Sequence, residues 1–137
     1  MNVCVAGSRT LDPVWRQTIF DLLNWIRPDY VVSGGANGPD SWGIEWALDP
    51  HTPCRGSAVW AADWDQGRSA GVKRTWEMLS QVKPDLTIVL WDGDSPGTRH
   101  TLTFLGELGL DYMLIHTDEQ TPDLIREKFF ADHLLRH

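Results

Sequence analysis

Cysteine is nearly absent from this chain of 137 residues, which holds only Cys4 and Cys54. Two thiols cannot build the disulfide framework of a small secreted domain, so a reducing cytoplasm is the expected compartment. Long apolar runs are missing as well. Nothing approaches the ~20 residues that a bilayer-spanning helix requires, and the opening MNVCVAG lacks the basic-then-apolar form of a signal peptide. It reads instead as a buried strand, and no membrane association is expected. Positive charge is scarce: 12 Lys and Arg stand against 19 Asp and Glu, a net charge of −7. Without a basic cluster, such a chain is poorly suited to a polyphosphate backbone, and nucleic acid is not an expected partner. A small anion remains open, because helix ends and one or two arginines suffice to hold it. Internal repeats, low-complexity segments and linkers are also lacking. Residues 1–137 are therefore expected to form one domain, burying about two thirds of the surface of the unfolded chain. The abundant residue is tryptophan, with eight copies. That number in a small domain suggests aromatic surface near a ligand or a partner chain, besides core.

The stretch from Tyr30 to Trp46, YVVSGGANGPDSWGIEW, has the form of a strand, a tight turn and the first turns of a helix. Gly34 and Gly35 permit backbone angles and close approaches that side chains forbid. Gly38 and Pro39 then open a helix, with Asp40 and Ser41 well suited to its start. The first N–H groups of that helix have no partner inside it and lie at the positive end of its dipole. A phosphate there gains roughly 0.3–2 kcal/mol from the dipole, with direct hydrogen bonds in addition. The stretch therefore reads as an anion cradle for a nucleotide-like ligand.

Short apolar runs alternate with helical periodicity along the whole chain. Strands are expected at Val3 to Ala6, Tyr30 to Ser33, Ser57 to Trp60, Leu86 to Trp91 and Tyr112 to His116. The fourth is the most continuous apolar run and is expected near the centre of the sheet. Helices are expected at Leu11 to Ile26, after Gly38 as far as Asp49-Pro50, at Ser69 to Val82, after Thr98, and at Pro122 to about Leu135. In the third of these, Val72, Trp76 and Leu79 form the expected inner side. This alternation specifies an α/β fold: a Rossmann-like three-layer sandwich with a mostly parallel five-stranded sheet and helices on both faces. Ligands of such sheets bind beyond the carboxyl ends of the strands. Glycine-rich turns follow strand one (Gly7), strand two (Gly34, Gly35, Gly38) and strand four (Gly93, Gly97), all on that edge.

Gly7-Ser8-Arg9, SGGANGPDSWGIEWA, Ala62-Asp63-Trp64 with GRSAGVKRTWEML, and GDSPGT occur in an order that resembles the YspA-related branch of the SLOG superfamily. These are Rossmann-like proteins related to the LOG cytokinin-activating enzymes and to the sheet domain of DNA-processing protein A. The resemblance covers about four fifths of the chain. It implies binding of a nucleotide or nucleotide-derived signal, by a sensor or sequestering module, with cleavage of an N-glycosidic bond as the alternative. Single-strand nucleic-acid binding is a third possibility, which the acidic balance opposes. Related proteins pair through helices beside the site, so a homodimer or higher homo-oligomer is implied. Two positions depart from the pattern. Thr75 replaces the asparagine that usually follows the arginine, and Thr101 stands where LOG enzymes carry a glutamate. Hydrolysis through a cationic sugar needs a placed carboxylate, which Thr101 cannot supply. Asp63, Asp92 and Asp94 lie in nearby loops, and no spacing selects among them.

The expected ligand contacts are Gly7, Ser8 and Arg9 after strand one, and Gly34, Gly35, Asn37, Gly38 and Asp40 after strand two. Trp64, Arg74, Gly97 and Thr98 complete the set. Several have a second reading. Asp40 either caps its helix or contacts a ribose hydroxyl. Arg9 reaches over the sheet edge or forms a surface ion pair. Arg74 offers a fork of N–H donors to a phosphate or sugar, or lies on a solvated helix face. Thr98 is open to both capping and phosphate contact. Trp64 stacks on a base or anchors its loop. Trp42 and Trp46, four apart, suit the core or a dimer contact. His51 and Cys54 lack the further ligands that zinc needs. His100 is an acid–base candidate or a surface residue, and His133 with His137 could take up metal only adventitiously. No metal and no cofactor is expected.

Overall fold

The structure, a computed structural model, describes residues 1–131. Five strands form one sheet: β1 (Asn2–Gly7), β2 (Tyr30–Ser33), β3 (Gly56–Val59), β4 (Leu86–Trp91) and β5 (Tyr112–His116). They are ordered β3-β2-β1-β4-β5, and every pairing is parallel. Five helices connect and follow them: α1 (Arg16–Ile26), α2 (Pro39–Leu48), α3 (Ala70–Val82), α4 (Pro96–Leu108) and α5 (Pro122–Arg126). Short 3-10 turns over Pro13–Trp15 and Trp64–Gln66 precede α1 and α3, and a π-helical turn over Glu127–Ala131 follows α5. The expected helix as far as Leu135 and the pair His133 and His137 extend outside the described residues.

The layering follows from the alternation of side chains along each strand. Val3 and Val5 of β1, Ile88 and Leu90 of β4, and Ile115 of β5 face α1, α2 and α5, packing with Ile19, Leu22, Leu23, Trp46 and Ile125. Cys4, Val32 and Val89 face the opposite side and pack with Met78 and Leu79 of α3 and Leu105 of α4. Both β1 and β4 are buried along their middle four residues, as expected of strands covered on two faces. The fold is thus a Rossmann-like three-layer sandwich. The chain runs outward from β1 to β3 and then returns to β4, beside β1, so the strand order reverses between these two.

Close contacts fix α2 against β1. A Cβ on Gly43 would stand 2.8 Å from Val5, and one on Gly7 would stand 2.4 Å from the Leu90 carbonyl and 2.7 Å from the Pro39 ring. The first turn of α2 therefore rests directly on the end of β1. Trp46, which is buried, donates through its indole N–H to Asn24 of α1 at 2.8 Å, while Trp42 packs partly buried on the same core.

The expected inner face of α3 holds at Leu79 and is corrected at Trp76. Met78 and Leu79 are buried, but Trp76 is 39% exposed. Its ring instead meets Phe104 of α4 edge-on at 5.1 Å. The gap between α3 and the sheet is filled by the slimmer Met78, which leaves the indole at the rim of the α3–α4 contact.

Candidate functional site

A cleft of about 450 Å³ lies over the carboxyl ends of the strands, where the order reverses. Ala6 and Gly7 at the end of β1 and Met78 of α3 contribute to its lining. Ser8, Arg9 and Thr10 after β1, Gly34 and Ala36 after β2, and Asp40 of α2 also line it. Trp64, Arg68, Arg74 and Thr75 come from the α3 side, and Gly97, Thr98, His100 and Thr101 from α4.

The turn after β2 shows why its residues differ in role. Gly35 and Gly38 have φ of 73° and 80°, in the region that favours glycine. They, with Asn37, shape the turn and are not among the residues lining the cleft. Gly34 does line it, and its missing side chain makes room for Arg74, whose guanidinium carbon would lie 2.6 Å from a Cβ. Arg74 donates to the carbonyls of Gly34 and, at 3.0 Å, of Trp60. The guanidinium is held between the ends of β2 and β3 and is half-buried.

Asp40 does not cap α2. Its carboxylate turns back and accepts from the Ala36 N–H at 3.4 Å. Burial, only partly offset by Arg74 and by the backbone N–H groups of Ala36, Gly34 and Gly7, raises its pKa to about 6. Burial likewise lowers the Arg74 pKa, with Asp40 acting against this and the charge of Arg9 adding to it. Arg9 and Arg68 are exposed, and neither makes an ion pair or hydrogen bond with another described residue. An acidic protein thus gathers three arginines and a single carboxylate around one cleft.

Three helices begin at this cleft without a side-chain cap: α2 at Gly38, α3 at Ser69 and α4 at Ser95. The Ser95 hydroxyl is turned away, donating to Asp92 at 2.7 Å. By contrast, Thr121 caps α5, and Asp12 and Asp63 cap the two 3-10 turns. The N–H groups of Asp40, Gly71, Val72, Gly97 and Thr98 have no acceptor among the described residues, and all five residues line the cleft. Such groups at the positive ends of helix dipoles are suited to an anion.

The remaining residues divide between ligand-facing and structural positions. Ser8 is buried and ties β1 to β4, with its N–H on the Leu90 carbonyl at 3.0 Å and its hydroxyl accepting from the Asp92 N–H at 3.2 Å. Thr75 donates its hydroxyl to the Gly71 carbonyl at 3.0 Å. Thr101 does the same to Gly97 at 3.2 Å, so no carboxylate stands at that point of the cleft. Asp63 and Asp92 are occupied elsewhere, Asp63 by the Asp65 N–H and Asp92 by the N–H groups of Asp94 and Ser95. Trp64 is 57% exposed and leans over Gly71 at the cleft wall, where a Cβ on that glycine would stand 3.1 Å from its ring. Arg68 escaped sequence reasoning, although an arginine one residue before a helix start that follows a glycine is a usable signal. Among the described residues no cluster of three potential metal ligands occurs, and no helix is long and apolar enough to cross a membrane. No protein-family model matches the chain, and no curated protein matches it.

Proposed function

We propose that the chain binds a small nucleotide or nucleotide-derived signal in this cleft, as a sensor or sequestering module of SLOG type. The observation that carries the reading is the meeting of three arginines with three uncapped helix starts in a protein of net charge −7. Phosphate groups would lie on the helix starts, with Arg9, Arg68 and Arg74 supplying charge. Trp64 offers an exposed ring to a base. A volume of about 450 Å³ suits a ligand of that size. Homodimer formation is part of the same reading, supported by the half-exposed Trp76 beside the cleft on α3. A cytoplasmic location is also part of it, in keeping with two free thiols.

Titration of the folded protein with AMP, ADP, ATP and ADP-ribose tests the proposal by thermal shift. A nucleotide at a hundred times its dissociation constant adds about 2.7 kcal/mol of stability, worth several degrees of Tm. No shift with any of them at about millimolar concentration would sink the proposal, since this corresponds to no more than about 4 kcal/mol of binding.

Glycosidic hydrolysis is the second reading, and Asp40 is the observation that favours it. It is the single carboxylate lining the cleft, with a pKa of about 6, in the range useful to an acid–base group. Chromatography of the same mixtures separates the readings: recovery of intact nucleotide means binding alone, and release of free base means hydrolysis.

A further inference from the structure

Asp40 places a negative charge in a cleft otherwise arranged for anions. It is only 7% exposed, and among the described residues it has neither an ion pair within 4.0 Å nor a side-chain donor. The groups facing it can be named element by element. Arg74 of α3 attracts its charge, and the charge of Arg9, from the loop after β1, acts on Arg74 in turn. Arg68 and His100 line the same cleft. Cys4 of β1 lies beneath it, and burial first, then the Asp40 charge, raise that thiol so that it stays neutral. Strands β2 and β3 bring no charged side chain, and Arg16 of α1 is already engaged by Glu45 of α2.

We propose that Asp40 takes up a proton when a phosphate-bearing ligand enters, which makes anion binding in this cleft proton-coupled. The inference rests on the anion-binding reading given above. A phosphate held by the arginines sets a second negative charge in the same enclosed space, and two such charges cannot both stay ionised without cost. The proton comes from solvent, and no covalent bond to the ligand forms or breaks. Protonation turns an acceptor-only carboxylate into a group with one O–H donor, which can be directed at a phosphate oxygen. Burial has already brought Asp40 to about 6, so a further rise of about one unit carries the titration into the neutral range.

Calorimetric titration with ADP-ribose tests this, because its pyrophosphate diester keeps a fixed charge between about pH 6 and about pH 8. In buffers of different ionisation enthalpy, uptake of about 0.4 proton per ADP-ribose is expected near pH 7, with affinity rising about two- to threefold per unit fall in pH. Asp40→Asn should bind ADP-ribose with no uptake and a flat pH profile. His100→Gln, which removes the other titratable group of the cleft, should keep the uptake. A flat profile in the unaltered protein overturns the inference, as does uptake that persists in Asp40→Asn. Proton release also overturns it, and would mean that Asp40 stays ionised and accepts from a ligand hydroxyl. Failure of ADP-ribose, AMP, ADP and ATP alike to bind at any pH removes the nucleotide reading and this inference with it, whereas binding of ADP-ribose without uptake removes this inference alone.

Discussion

Arg74 of α3 donates to the main-chain carbonyl of Gly34, forty residues earlier, in space that exists because Gly34 has no side chain. The pairing joins the end of β2 to the first half of α3 and sets a guanidinium half-buried in the cleft wall. Gly34→Ala is expected to push the guanidinium aside while the sheet, which does not use this contact, stays formed. Nucleotide affinity should fall by about tenfold or more, equivalent to about 1.4 kcal/mol, with an unchanged far-ultraviolet circular dichroism spectrum. Arg74→Ala should show the same loss and also reduce stability by about 1–3 kcal/mol, because the Gly34 and Trp60 carbonyls lose their donor.

Asp40 makes stability depend on pH with an unusual sign for a carboxylate. Its pKa rises from an ordinary 3.8 to about 6 on folding, so the native state holds more protons than the unfolded state between those values. Stability therefore falls as pH rises through that interval and levels off above it, a loss of about 3 kcal/mol from this group. Urea unfolding of the protein and of Asp40→Asn at about pH 4 and about pH 7 checks this. The difference between the two proteins should change by about 2 kcal/mol in favour of the variant at the higher pH, since part of the loss is already complete at about pH 4.

Asp92 shows the opposite linkage. Burial opposes its charge, but the N–H and hydroxyl of Ser95 and the N–H of Asp94 outweigh this and hold its pKa down to about 2. Its contribution is complete above the ordinary 3.8 and is lost as pH falls toward about 2. Asp92→Ala should lower stability at neutral pH by about 1–2 kcal/mol, as loss of a turn-forming acceptor ahead of a helix does. Its acid unfolding curve should be flatter than that of the unaltered protein over that interval.

The strands and the order of elements were legible because β1 and β4 are covered on both faces, which leaves continuous apolar runs such as Leu86 to Trp91. Gly7 and Gly34 were legible because the Leu90 carbonyl approaches the first and the Arg74 guanidinium the second closely enough to favour a residue with no side chain. The inward face of α3 was not. The bulk of Trp76 draws a periodicity reading to itself, whereas Met78 enters the core between α3 and the sheet and the indole meets Phe104 of α4. Nor could spacing separate Gly34, which lines the cleft, from Gly35, Asn37 and Gly38, which shape the turn. That distinction depends on where α3 places Arg74, forty residues later in the chain. The choice of Asp40 over Asp63, Asp92 and Asp94 has the same origin, since it depends on which carboxylate the folded chain brings to the cleft, and only Asp40 lines it.

Trp64 is the most exposed tryptophan among the described residues and lies at the cleft wall. Nucleotide binding should therefore quench or shift indole emission, and Trp64→Phe should remove most of that change. Trp64→Ala is expected to lose about 1–3 kcal/mol of affinity for a base-bearing ligand and much less for inorganic pyrophosphate. Equal losses for both would show that the ring anchors its loop instead of stacking on a base.

The uncapped starts of α2, α3 and α4 leave those helices chemically unfinished while the cleft holds no anion. The amides of Asp40, Gly71, Val72, Gly97 and Thr98 in their first turns should exchange with deuterium oxide readily in the free protein, because nothing among the described residues accepts from them. A bound anion that completes them would slow exchange at Asp40, Gly71, Val72, Gly97 and Thr98 together, though these lie on three separate segments. The ligand would then act as the common cap of three helices, and its arrival would be recorded as joint protection of distant stretches of sequence.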